Sequence, residues 1–258
     1  MNRLIFTLIS AIFLANIILP GKTIAQEKLS AEKIMEKVDN RTYPVDMTAI
    51  MTMNLIDKKG KSRTQVTKTY RMSDKKQIMW FLEPANVKGS SFLRISYDDR
   101  DDDMWLYLPA FGKVRRIASH AKSGNFMGSD FTYEDLGDRK LKDYKYHWIK
   151  EEDINGKKCQ VIESLPKEDV STDYSKIVSW IWPDADLAIK EEFYDKDGNL
   201  KKIKTVDLEK MDKYWVPNTM IMENIKSNHK TEMTFNEINL DTGLDENIFK
   251  SNYMKRIH

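Results

Sequence analysis

Asp46-Met47-Thr48-Ala49-Ile50-Met51-Thr52-Met53-Asn54-Leu55 places Met47, Ala49, Met51, Met53 and Leu55 at every second position, with Asp46, Thr48, Ile50, Thr52 and Asn54 between them. Successive side chains of an extended chain point to opposite faces, so this period of two predicts a long half-buried strand. Lys58-Lys59-Gly60-Lys61 follows as a turn, and then a more polar strand carries Val66, Tyr70 and Met72. Further strands are expected over 77–82, 91–97, 104–108, 113–118, 144–149, 159–165, 177–182, 187–194, 200–208, 219–225 and 231–238. Asn155-Gly156 and Asp197-Gly198 supply tight hairpin turns. So many short strands, with few helical patterns between them, predict a mainly β chain built on one large antiparallel sheet that must curl or close.

Upstream, the period lengthens to that of a helix. Ser30 is placed to cap a helix over 31–40 whose stripe is Ala31, Ile34, Met35 and Val38. Before it, residues 1–25 read as an exported leader: Arg3, an apolar run from Leu4 to Leu19, a break at Pro20-Gly21 and an exit at Ala25. The alternative is an uncleaved anchor, because the run approaches the ~17 residues that just span a bilayer. With cleavage after Ala25, residues 26–258 are expected to form one periplasmic domain, since no repeat or Pro-rich linker divides them. Cleavage removes Arg3 and Lys22 and no acid, which balances the remaining bases against the 40 acids.

The whole chain of 258 residues is 41% hydrophobic and 32% charged with a net charge of +2, which excludes wholesale disorder and gives no electrostatic basis for nucleic-acid binding. The single cysteine, Cys159, excludes an internal disulfide and a multi-cysteine zinc site; its alternation with Val161 marks a small core residue. His120, His147, His229 and His258 fit no metal motif, and no nucleophile-elbow, Walker or dinucleotide pattern is present. Neither a metal nor a cofactor is implied, and no catalytic residue is nominated. Asp98-Asp99-Arg100-Asp101-Asp102-Asp103 is an acidic cluster with two readings, a calcium-holding loop or a solvated hairpin tip. Residues 119–143 form the longest stretch without a period, yet they carry Phe126, Met127, Phe131 and Tyr133. A connection of that length and apolarity is expected to be functional. Ser129 is placed to cap a short helix over 130–136.

Six tryptophans and 14 methionines, several on strands, provide apolar surface suited to an adaptable guest. The run Asp103-Met104-Trp105-Leu106-Tyr107-Leu108-Pro109-Ala110-Phe111-Gly112-Lys113-Val114-Arg115-Arg116-Ile117, followed by Phe126-Met127-Gly128-Ser129-Asp130-Phe131-Thr132-Tyr133-Glu134-Asp135-Leu136, resembles the signature of the outer-membrane lipoprotein-sorting proteins of the LolA-like superfamily. Trp182-Pro183, Glu192-Phe193-Tyr194-Asp195 with Gly198, and Trp215-Val216-Pro217 extend the resemblance over nearly all of the exported chain.

The resemblance implies an unclosed, strongly curved antiparallel half-barrel, with helices at its mouth, around a hydrophobic basin. It implies a non-enzymatic periplasmic carrier that takes the acyl chains of a lipoprotein or phospholipid from the inner membrane, where a transporter of the resistance-nodulation-division type is the implied partner, to the outer membrane. Membrane contact would be peripheral or transient and the carrier monomeric. On this basis Met51, Met53, Trp80, Leu93, Ile95, Trp105 and Tyr107 are expected to line the basin, with Phe92 in place of Leu93 if the strand parity is reversed. Phe126, Met127 and Phe131 are the expected movable cover. Arg115 and Arg116 are expected either to hold a headgroup or partner, or to pair with Asp130, Glu134 or Asp135. Two rival functions remain at this point: an envelope-stress or transporter-accessory interaction module of the same fold, and an enzyme acting on envelope lipids or glycans.

Overall fold

The computed structural model describes residues 29–256, so the expected leader and His258 lie outside the described residues. The first element is α1 (Ala31–Asp39), where the Ser30 hydroxyl accepts from the Lys33 N–H at 3.3 Å. Its apolar stripe packs Ala31 and Ile34 on Tyr144, Tyr146, Ile162 and Ile181.

Thirteen strands follow: β1 (Asp46–Ile56), β2 (Ser62–Met72), β3 (Lys76–Glu83), β4 (Ser91–Ile95), β5 (Asp103–Leu108), β6 (Lys113–Arg116), β7 (Tyr144–Ile154), β8 (Lys157–Pro166), β9 (Lys176–Trp182), β10 (Leu187–Tyr194), β11 (Leu200–Met211), β12 (Tyr214–Asn224) and β13 (His229–Leu240). They form one antiparallel sheet in the order β6-β5-β4-β3-β2-β1-β13-β12-β11-β10-β9-β8-β7. The sheet is not closed: β6 and β7 are its two edges. The chain therefore meanders from the centre to one edge, crosses to the opposite edge through residues 117–143, and meanders back until β13 pairs with β1. The connection without a period is the one that must cross a face of the sheet.

Every strand expected from the alternation is present, several with longer ends, while those expected over 91–97 and 113–118 stop at Ile95 and Arg116. The expected helix over 130–136 is not formed. Two short 3₁₀ turns, Phe126–Gly128 and Glu134–Leu136, stand there instead. Ser129 does not cap: its hydroxyl bonds the Phe131 carbonyl at 3.3 Å, while Thr132 and Asp135 exchange side-chain to backbone bonds of 3.2 and 2.7 Å around the second turn.

Both faces of the sheet are buried near its centre. The inner face, toward α1 and the crossing segment, carries Ala49, Met51, Met53 and Leu55 of β1 with Met79, Phe81, Phe92, Met222, Met233 and Phe235. The outer face carries Ile78, Trp80 and Leu93, covered by Phe249 and Met254 from the C-terminal 3₁₀ turns. The Ser91 hydroxyl ties this cover down by donating to the Met254 carbonyl at 2.7 Å.

Candidate functional site

The strand register defines rows across the inner face. Met51 pairs with Thr67 and Thr67 with Phe81, which makes one row. Thr69, Met79, Phe92 and Leu106 make the next, with Ala49 opposite Thr69. Met47, Arg71, Gln77, Arg94 and Met104 make a third, nearer α1. Toward the other half of the sheet, Met51 faces Phe235, Met53 faces Met233, and Met233 faces Met220.

Above these rows lies a cavity of about 310 Å³, bounded by Met51, Met79, Met220, Met233 and Phe235 on the floor and by α1 and residues 135–141 at the rim. A volume of ~300 Å³ is the lower end of what small-molecule sites span. A second cavity of about 270 Å³ adjoins it and has a more apolar wall of Leu187, Val206, Leu208, Trp215 and Val216. Val38, Arg41, Tyr43, Arg71, Arg139, Lys204 and Met220 line both.

The crossing segment fills the rest of the inner face. Phe126 is 0% exposed and Phe131 2%, and the Phe126 ring meets Phe92 at 5.2 Å, Tyr133 at 5.7 Å and Phe81 at 6.0 Å between centroids. Polar anchors hold it down. Asp130 accepts from the Thr231 hydroxyl at 2.8 Å and lies 2.9 Å from His229 Nδ1. Asp135 pairs with Lys202 at 2.8 Å and accepts from the Tyr174 hydroxyl at 2.6 Å. Arg139 pairs with Glu191 of β10, which Lys204 also contacts.

The electrostatics of the inner face follow from these pairings. Burial pushes the Glu191 carboxyl up, but the Arg139 and Lys204 cations outweigh it and bring the group down to about 2. Burial lowers Arg71 to about 10, and the neighbouring charges of Arg94 and Arg41 push the same way. Burial also lowers Arg41, against the favourable influence of Tyr43 and Asp74. The Cys159 thiol is raised to about 11 by burial, which makes it an inert core group.

The structure divides the seven residues expected to line the basin. Met51 lines the cavity, and Met53 lies on the same face in the core beneath the crossing segment. Trp80, Leu93, Ile95, Trp105 and Tyr107 lie on the outer face with the C-terminal turns and do not join them. The cause is parity: Met79 pairs with Phe92 and Phe92 with Leu106, so the inner positions are Met79, Phe81, Phe92, Met104 and Leu106. Phe92, the reversed-parity choice, faces inward on β4 together with Arg94. Phe126, Met127 and Phe131 do come together over the inner face.

Arg115 and Arg116 point to opposite sides of β6, and neither meets Asp130, Glu134 or Asp135. Arg116 pairs with Asp103, and the Arg115 guanidinium lies 5.1 Å from the Phe111 ring centroid. The acidic cluster is neutralised by bases: Asp102 by Arg94 at 3.2 Å and Lys140 at 3.3 Å, Asp98 by Lys75 at 2.7 Å, and Asp103 by Arg100 at 2.9 Å. Among the described residues no cluster of His, Cys, Asp or Glu has the arrangement of a metal site, and no helix is long and apolar enough to cross a membrane.

The alternation pattern missed Arg71, Arg94, Arg139 and Lys204. A signal for the first was present: the turn over 57–61 sets Ile56 opposite Ser62 and hence Met47 opposite Arg71, on the face of Met51 and Met53.

A family profile described as "Uncharacterized protein" matches residues 73–256. A domain from Vibrio parahaemolyticus, assigned as an outer membrane lipoprotein-sorting protein, is 35% identical with a TM-score of 0.81, over 88% of this chain and 98% of that one. A DUF1329 family protein from Desulfovibrio piger is 30% identical with a TM-score of 0.81, over 87% and 97%. A LolA superfamily protein from Nitrosomonas europaea shares the fold at 21% identity and a TM-score of 0.67, over 88% and 100%. Among curated proteins none matches.

Proposed function

The chain belongs to the LolA-like family of outer-membrane lipoprotein-sorting proteins, and from that premise we propose that it is a non-enzymatic periplasmic carrier of acyl chains. The observation that supports this reading best is the cavity of about 310 Å³ over a floor of Met51, Met79, Met220, Met233 and Phe235. Thioether chains on that floor adapt to guests of varied shape. The cargo is a lipoprotein or phospholipid, received at an inner-membrane transporter and delivered to the outer membrane by a monomer whose leader has been removed after Ala25.

The crossing segment is the cover in this scheme. Phe126 and Phe131 occupy inner-face volume that a longer tail needs, so a full acyl chain enters by displacing them. Exposing two buried phenylalanines costs roughly 3 to 6 kcal/mol at ~1.5–3 kcal/mol each, since the guest fills the space they leave, and each methylene of the guest returns ~0.8 kcal/mol. A tail of about ten methylenes therefore more than offsets the opening. Loading and release become an exchange between the protein's own rings and the guest, with no nucleotide needed.

The test is a titration with a fluorescent fatty-acyl probe, alongside mass spectrometry of protein taken from the periplasm. Saturable one-to-one binding and an acyl-bearing adduct are expected. The variant Met220→Trp, which fills the space shared by the two cavities, should abolish probe binding and retain the far-ultraviolet spectrum. Absence of both binding and adduct in the unaltered protein overturns the carrier reading.

A further inference from the structure

We propose that Arg71, with Arg41 beside it, forms a binding site for the acidic head of an amphiphile, a carboxylate or a phosphate, at the junction of the two inner-face cavities. This rests on the carrier reading and deepens it by naming the chemistry of the cargo's polar end.

The cations of the inner face separate into two groups. Arg94 is paired with Asp102, Arg139 and Lys204 with Glu191, and Lys202 with Asp135. Arg71 has no ion pair and no hydrogen bond among the described residues, although it lines both cavities. Arg41 donates to the Val38 carbonyl at 2.8 Å and lies 4.0 Å from the Tyr43 ring centroid, and it too has no carboxylate partner. The carboxylates that could neutralise the pair are engaged elsewhere or lie at the solvent edge: Asp74 with Lys75, Asp138 with Lys140, and Asp39 exposed at the end of α1. Beyond Gln77 in the same row, Arg94 keeps its Nε buried without a partner. Arg71 and Arg94 are two strands apart, about 10 Å between their backbones. A half-buried guanidinium without a carboxylate partner is less well stabilised than a paired one, and Arg71 and Arg41 stand side by side in that condition. An entering anion reverses this, because the planar fork receives a carboxylate or phosphate through two parallel bonds.

The surroundings select an amphiphile over a free ion. The next row of the inner face is Thr69, Met79, Phe92 and Leu106, and the adjoining cavity is walled by Leu187, Val206 and Trp215. A head at Arg71 thus has apolar surface on both sides for its tail. Burial and like charge lower the Arg71 guanidinium to about 10, which still leaves it a cation at neutral pH.

The experiment compares decanoate, decyl phosphate and decanol, three ligands with one tail, by calorimetry on the unaltered protein, Arg71→Met and Arg71→Lys. At least one of the two acids should bind about tenfold or more tighter than the alcohol, the increment of a charge-assisted hydrogen bond. The acid that gains more identifies the head as carboxylate or phosphate. Arg71→Met should bring both acids to the affinity of the alcohol, whose own binding stays unchanged, and Arg71→Lys should retain an intermediate preference. Equal affinity for acids and alcohol in the unaltered protein, or an undiminished preference in both variants, overturns the headgroup site and leaves the carrier reading standing. Failure of all three ligands to bind overturns the carrier reading and the headgroup site with it.

Discussion

Replacing Phe126 by Ala removes the ring that locks the crossing segment to the sheet. The side chain is fully buried and touches Phe81, Phe92 and Tyr133, two of them in T-shaped contacts. An aromatic side chain buries ~150–250 Å² at about 25 cal/mol per Å², and Ala recovers only a small part of that. Each lost edge contact adds ~0.5–1.5 kcal/mol. Partial collapse of the site works against these terms, so the expected loss is about 4 kcal/mol, inside the ~3–5 kcal/mol usual for Phe→Ala. Against a typical total of ~5–15 kcal/mol this is a large fraction. Urea unfolding followed by tryptophan fluorescence measures it, as a lowered midpoint at unchanged slope. A loss under about 1 kcal/mol would refute the reasoning, since it would mean that the ring spends its time outside the core.

Acid should weaken the inner face through Glu191. Its folded value of about 2 lies below the unfolded carboxylate value, so its stabilisation is fully present above about pH 4.5 and disappears as pH falls toward 2. Glu191→Gln should remove, from a pH series of urea melts, a component on the order of 3 kcal/mol over that interval. Lys202→Met leaves Asp135 as a lone buried charge and should destabilise by ~3–5 kcal/mol, whereas Lys202→Met with Asp135→Asn should recover most of that in the same melts. Asp46 accepts from the Thr242, Gly243 and Leu244 N–H groups at 2.8, 2.7 and 3.0 Å; Asp46→Ala should lower stability by ~2 kcal/mol and raise hydrogen exchange at residues 242–244.

The strands were legible because alternation is a local property. Met47 to Leu55 announces β1, and the Asn155-Gly156 and Asp197-Gly198 turns separate their neighbours cleanly. Which face each strand turns inward was not legible, and the reason is physical. Ile78-Met79-Trp80-Phe81 and Phe92-Leu93 are apolar at consecutive positions because the crossing segment covers one face of the sheet and the C-terminal turns cover the other. A strand buried on both sides carries no contrast from which to read parity. On β2 the contrast even misleads: Val66, Tyr70 and Met72 are the apolar set, yet Gln65, Thr67, Thr69 and Arg71 face inward. Charged residues on that face draw no attention in a sequence, since an isolated arginine on a strand reads as solvent-exposed until the sheet pairs it with Met47.

The inner face is more charged than a plain grease-filled hollow, and the proposed exchange of cover for cargo gives a reason. A cover held only by phenylalanines would lose all of its burial on opening and gain nothing from water. Asp135 and Lys202 are each 2% exposed, and Asp130 is anchored to Thr231 and His229. Buried charges give up a hydration energy that their pairing restores only in part, so their separation into water offsets some of the apolar area exposed as the cover lifts. The same groups fix the register of the closed cover, which apolar contacts alone leave loose. In the proposed exchange, charge in the crossing segment would lower the penalty for opening while the two rings hold the cover on the sheet. Arg71 and Arg41, which have no carboxylate partner among the described residues, are positioned to gain a counter-ion from the guest and not from the protein.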